Sequence, residues 1–159
     1  MAAGLALAVP SVAAAVPLTL VAAENVYGGV AREIAGDTAE IISILNNPDQ
    51  DPHLFESSPA AVRQVADARL VILTGADYDP WMAKLLAAAP RPGRTIINVA
   101  DLMGKKAGDN PHLWYDPATM PKVAAAVAEA LAKADPTGAP EYAARLKTTL
   151  AALARVQAR

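Results

Sequence analysis

The sequence predicts an α/β fold, a four-stranded, mostly parallel sheet flanked by helices and ending in a long helix. Three observations predict it. Short apolar runs of strand length alternate with longer segments of helical period. Ser58-Pro59, Asp79-Pro80 and Asp116-Pro117 each place a capping side chain before a proline, the usual opening of a helix. The last twenty residues carry Tyr142, Leu146, Leu150 and Leu153 at helical spacing.

Taken in order, the chain opens with an apolar stretch of the length of a secretory signal, followed by small residues at Ser11, Ala13 and Ala15. Residues 1–15 are therefore expected to be a signal peptide or its remnant. Pro10 and Pro17 interrupt the run, which argues against membrane insertion. The run 18–23 reads as the first strand. Residues 25–36 read as a helix with Val26, Val30 and Ile34 on one face and Gly36 as its stop. Residues 39–45 form the second strand, and an Asn/Pro/Asp-rich loop follows it. The helix 58–68 starts at the Ser58 cap.

The third strand is predicted at 69–75. A helix over 81–89 follows, with Asp79 as its cap. The fourth strand is predicted at 94–100, and a Gly/Lys/Asp-containing loop leads from it to Asp116, which is expected to cap the next helix. Pro121 makes that helix's first turn irregular. The final helix, 140–159, carries no glycine or proline stop, and its apolar face continues to Val156. In parallel sheets ligands bind beyond the carboxyl ends of the strands. The loops expected there are 24–27, 46–56, 75–79 and 101–116.

Composition narrows the chemistry. The net charge of −2 and pI near 5.6 provide no basic field for nucleic acid. Cysteine is absent, so disulfides, thiolate metal sites and cysteine nucleophiles are excluded. No phosphate-binding glycine loop and no nucleophile elbow occurs.

The chain has two histidines, and they stand in rhyming contexts: "DPHLFE" at 51–56 and "NPHLWYDP" at 110–117. Both fall in the loops at the predicted ligand edge. Proline before each imidazole stiffens its loop and lowers the entropy lost on fixing the ring. Two neutral imidazoles make half of a four-ligand zinc site. Asp51, Glu56 and Asp116 are candidates for fixing these loops or for accepting the distal ring N–H. Phe55, Trp81 and Trp114 are expected to be packing residues.

Three stretches go further than the two motifs alone. "NPDQDPHLFESSPA", "ADARLVILTGADYDPWM" and "GDNPHLWYDPATMPKVAAAVAEALA", in that order, resemble the zinc/manganese solute-binding proteins of bacterial metal ABC importers. "LTLVAAENVYGGVAREIAG" resembles the first βα unit of that family. The resemblance implies two α/β lobes joined by a long rigid helix, with the metal in the cleft between them. It implies that His53 and His112 are the two ligands of the N-terminal lobe. The third and fourth ligands, supplied by the second lobe in the family, have no counterpart here. The implied division is residues 16–138 as the N-terminal metal-binding lobe and 139–159 as the start of the inter-lobe helix, with the C-terminal lobe absent.

The expected function is that of a periplasmic Zn²⁺- or Mn²⁺-binding component of an ABC importer, in truncated or partial form. Its partners would be the metal ion and the importer permease, with no catalysis. The stretch between the motifs lacks the histidine-rich loop common in zinc-specific members, so manganese stays open. Self-association through the last helix also stays open. The competing readings are a small zinc-dependent hydrolase on the same two histidines, with Glu56 as base, and a structural α/β domain that needs a partner chain.

Overall fold

The computed structural model describes residues 18–47, 50–52 and 55–158. The predicted signal segment and His53 lie outside the described residues. Strands β1 (Leu18–Glu24), β2 (Ala39–Leu45), β3 (Leu70–Leu73) and β4 (Thr95–Asn98) form one sheet in the order β2-β1-β3-β4. Every pairing is parallel, with Leu20 opposite Ile41 and Leu70, and Ile72 opposite Ile97.

Side chains alternate between the two faces of a strand, and a parallel sheet buries both. Leu20, Ala22, Leu70 and Ile72 face one core, where they meet helices α1 (Asn25–Ala35), α5 (Thr119–Ala134) and α6 (Ala139–Gln157) through Tyr27, Ile34, Val123, Val127, Leu131 and Tyr142. Val21, Ala23, Val71 and Leu73 face the other, against α2 (Pro59–Asp67) and α3 (Pro80–Ala88) through Val65, Trp81, Met82 and Leu85. This two-sided burial is why the strands read as unbroken apolar runs.

Most elements start and stop where their residues predict. Ser58 Oγ accepts from Ala61 N at 3.1 Å, with Pro59 as the first helical residue of α2. β3 and β4 are shorter than predicted because their ends are used otherwise. Thr74 N donates to Asp79 Oδ2 at 2.7 Å, so its N–H is lost to the ladder and β3 ends at Leu73. Asn98 Oδ1 accepts from Ala100 N and Asp101 N at 3.0 and 3.4 Å, starting a short helix, α4 (Val99–Met103), where a loop was expected. Gly104, at φ 65°, ends it in the left-handed conformation that glycine adopts without strain.

At the opposite end of the sheet, two arginines hold helix ends together. Arg94 donates to Ala68 O, Ala89 O, Val65 O and Ala66 O at 2.7–3.3 Å, and Arg91 donates to Ala66 O and Asp67 O. These carbonyls end α2 and follow α3, where helices leave acceptors without intrahelical donors.

Helix α6 is anchored at its start and exposed toward its end. Tyr142 is 1% exposed and donates to Asp135 Oδ2 at 2.8 Å, and its hydroxyl also lies 3.0 Å from Thr38 Oγ1. Arg145 crosses to Ala35 O at the end of α1, passing over Gly36, whose φ of 56° and lack of a side chain make room for the guanidinium. Further along, Ala151, Ala152, Ala154, Arg155 and Val156 are exposed. Gln157 Nε2 donates to Pro117 O at 2.6 Å, so α6 returns along α5 to the ligand end of the sheet. Among the described residues no helix is long and apolar enough to cross a membrane.

The Arg94 fan makes the lower end of the fold dependent on one side chain. Arg94→Met, which keeps the stem and removes the donors, is expected to lower the unfolding free energy by about 1–3 kcal/mol in urea titration. Unchanged stability would show that water replaces the arginine at those carbonyls.

Candidate metal centre

The order β2-β1-β3-β4 has a switch point. From β1 the chain crosses over one face to β2, and from β2 it returns over the other face to β3. The carboxyl ends of β1 and β3 therefore lie side by side while their connections diverge, and this opens a crevice. Glu24 ends β1 and Thr74 follows β3.

Glu24, Thr74 and Asp79 are 6%, 0% and 1% exposed. Thr74 Oγ1 donates to Glu24 Oε2 at 2.9 Å. Asp79 Oδ2 accepts from Thr74 N at 2.7 Å, and Oδ1 accepts from Gly75 N at 2.9 Å. The two buried carboxyls lie close enough for the Asp79 charge to act on Glu24. Two neighbouring buried carboxyls are disfavoured when both are ionised, so one of them is favoured protonated.

The donors decide which. Both oxygens of Asp79 already hold backbone N–H groups, whereas Glu24 Oε1 has no N–H or O–H donor among the described residues. This asymmetry favours the ionised form on Asp79 and the protonated form on Glu24. Burial, then the Asp79 charge, pushes the Glu24 carboxyl well above its ordinary range. Burial also raises Asp79, while the N–H groups of Gly75 and Thr74 oppose that rise. Asp79, expected to cap α3, instead turns its carboxylate back toward β3, and α3 starts at Pro80 without a side-chain cap.

Asp79 closes a tight turn. Gly75, Ala76 and Asp77 all have positive φ (74°, 48° and 65°), and Tyr78 N donates to Gly75 O at 3.0 Å. A left-handed alanine is strained by roughly 1–2 kcal/mol, and it persists where neighbouring bonds over-determine it. Gly75 has its own reason to be glycine, since a Cβ there would collide with the Asn98 amide.

The turn delivers the buried Tyr78 ring to the loop before α5. Tyr78 meets Trp114 edge-on at 4.9 Å and His112 at 5.6 Å, and His112 meets Trp114 at 5.4 Å. The imidazole thus stands in a corner of two aromatic rings with its outer side exposed. Asn110 Oδ1 accepts from His112 N at 3.0 Å, which fixes the amide's orientation. The same oxygen lies 3.1 Å from His112 Nδ1, so Nδ1 is the protonated nitrogen and donates to it. Nε2 is left with its lone pair, the form that binds a metal.

Pro52, which precedes His53 in the chain, lines a cleft of about 240 Å³ together with Glu24, Tyr78 and Trp114. Asp51 and Glu56 are exposed on that side of the sheet. Asp116, expected to cap the next helix, instead accepts from Ala118 N through Oδ1 at 2.9 Å and fixes the turn ahead of α5, which starts at Thr119 without a side-chain cap. Phe55 packs on Trp81 at 4.3 Å. Among the described residues no three His, Asp or Glu side chains converge as a metal site. Sequence reasoning missed Asn110, although an Asn two residues ahead of an N–H is an Asx-turn signal. It also missed Glu24, Thr74 and Tyr78, whose association depends on strand order.

Residues 20–159 match the family described as zinc-uptake complex component A, periplasmic (ZnuA). The manganese ABC transporter substrate-binding lipoprotein PsaA of Streptococcus mitis is 27% identical over 143 residues, covering 82% of this chain and 46% of that protein. The high-affinity zinc uptake system protein ZnuA of Paracoccus denitrificans is 27% identical over 159 residues, 75% of this chain and 48% of its own length. The chain thus spans about half the length of these relatives. Among solved structures, the Mn-bound periplasmic metal binding protein from Candidatus Liberibacter asiaticus superposes with a TM-score of 0.72 at 19% identity, covering 83% of this chain and 51% of that one. Zn(II)-bound AdcA from Streptococcus pneumoniae gives 0.71 at 20% identity, over 87% and 31%. At these identities the likeness establishes the fold.

The carboxyl pair yields a pH-dependent stability of definite sign. A raised Glu24 pKa in the folded state means that its contribution is full below the ordinary value of 4.5 and is lost as pH rises through the folded value. Glu24→Gln keeps an acceptor for Thr74 Oγ1 and cannot ionise. It is expected to match the wild type near pH 4 and to exceed it in urea unfolding at pH 8, by about 1.4 kcal/mol for each pH unit of displacement crossed. A variant equally destabilised at both pH values would contradict the protonated pair.

Proposed function

The chain belongs to the periplasmic zinc-uptake component A family, and from that premise we propose that it is the N-terminal metal-binding lobe of an importer's solute-binding component, working outside the cytoplasm. Its cargo is Zn²⁺ or Mn²⁺, held by His53 and His112. The observation that carries this reading is the His112 imidazole. Its Nδ1 is tied to Asn110, its ring packs edge-on against Tyr78 and Trp114, and the residue is exposed at the carboxyl end of the sheet.

A histidine so held loses little freedom when it binds a cation, and the hydrogen bond to Nδ1 raises the basicity of Nε2. Nitrogen and oxygen donors without thiolate suit zinc and manganese. The relatives' own names divide between manganese and zinc uptake, and the streptococcal one names a substrate-binding lipoprotein of an ABC transporter. Two imidazoles leave about two positions of a tetrahedral zinc for water or other oxygen donors. On this reading residues 16–138 form the lobe, and 139–159 begin the helix leading toward a second lobe. The importer permease is the partner that receives the metal.

Competition titration of Zn²⁺ and Mn²⁺ against a chromogenic chelator tests this reading. His112→Ala and His53→Ala are each expected to weaken binding at least about 10-fold, with the circular dichroism of the fold retained. Equal affinity in wild type and the double variant would overturn it.

A further inference from the structure

Asp79 is remote from the metal chemistry in sequence, yet its carboxylate holds the turn that shapes the His112 site. We infer that Asp79, bonded to Thr74 N and Gly75 N and backed by Glu24, is a positioning residue for His112, acting through the ring of Tyr78. The inference rests on reading His112 as a metal ligand.

Three observations carry it. First, the backbone from Gly75 to Asp77 is left-handed at three successive residues, two of them not glycine. Such a run does not hold itself, and one carboxylate accepts the N–H groups of both Thr74 and Gly75 at its entrance. Second, the turn ends in Tyr78, which is 7% exposed and contacts both His112 and Trp114. If the turn relaxed, one wall of the imidazole's corner would move. Third, the carboxylate is itself fixed. Glu24, on the neighbouring strand, accepts from Thr74 Oγ1, and the same Thr74 donates its N–H to Asp79, so one residue ties the two carboxyls together.

The path from Glu24 to His112 therefore runs through one strand end, one carboxylate, one turn and one ring. Asn110 sets the tautomer of His112 from its own loop, and Tyr78 sets the plane in which the ring stands. The two controls come from different segments of the chain and can be separated by mutation.

The experiment is imidazole NMR of the ¹⁵N-labelled full chain without metal, followed by zinc titration of the same samples. In the wild type the His112 ring protons are expected at positions displaced by the Tyr78 and Trp114 ring currents, with the Nδ1–H tautomer. Asp79→Asn offers an amide to two backbone N–H groups that both need an acceptor. It is expected to move the His112 resonances toward those of an unstructured histidine and to weaken zinc binding about 10-fold. Tyr78→Leu is expected to do the same, while Tyr78→Phe, which keeps the ring, keeps the displaced His112 resonances. Folded Asp79→Asn protein with unchanged His112 resonances would overturn the inference. Should Asp79→Asn fail to fold, the comparison of Tyr78→Leu with Tyr78→Phe decides, and identical His112 resonances in the two overturn it. Displaced resonances in a wild type that binds no zinc would refute the metal-binding reading and leave the positioning role standing.

Discussion

Two carboxyl groups, buried side by side where β1 and β3 end, set the terms for the functional end of this fold. Desolvating two adjacent negative charges costs several kcal/mol per ion, so the pair persists only with a proton on one of them. The donors favour that proton on Glu24, because both oxygens of Asp79 already accept the N–H groups of Thr74 and Gly75. The Gly75–Asp77 turn, the seating of Tyr78 and the aromatic corner around His112 follow from that arrangement. The switch point of the sheet is what brings the two carboxyls together, since it leaves adjacent strand ends without a connection crossing between them.

The rest of the molecule supports this end from below. One core, under α1, α5 and α6, and a second, under α2 and α3, clamp the central strands from both sides. Arg91 and Arg94 tie the helix ends at the opposite edge, where exposed carbonyls would otherwise face one another. Helix α6 links the two ends. Tyr142 and Arg145 dock its start beside the end of α1, and Gln157 reaches the loop that carries His112 to α5. An element so placed gives the His112 loop a fixed reference along the height of the sheet.

The sequence disclosed whatever depends on local pattern. Continuous apolar runs marked the strands, Ser58-Pro59 marked the start of α2, and the "NPHLWYDP" motif marked His112 on a loop at the carboxyl edge of the sheet. Features that depend on tertiary pairing were hidden. Asp79-Pro80 has the form of a capped helix, and nothing local shows that its carboxylate turns away to a strand end. Glu24 reads as a strand terminus until β3 lies next to it. The short helix α4 was missed because its five residues are too few for a periodic signal, and its cap, Asn98, sat inside a predicted strand. Asn110 was the legible omission, two residues before the histidine it orients.

A single spectrum tests the account at its centre. Zinc K-edge X-ray absorption of the purified chain, loaded with one equivalent of Zn²⁺, reports the ligand shell directly. The account predicts nitrogen and oxygen neighbours at about 2.0–2.1 Å, with the outer-shell scattering of two imidazole rings. A shell of oxygen alone, without imidazole scattering, would contradict it.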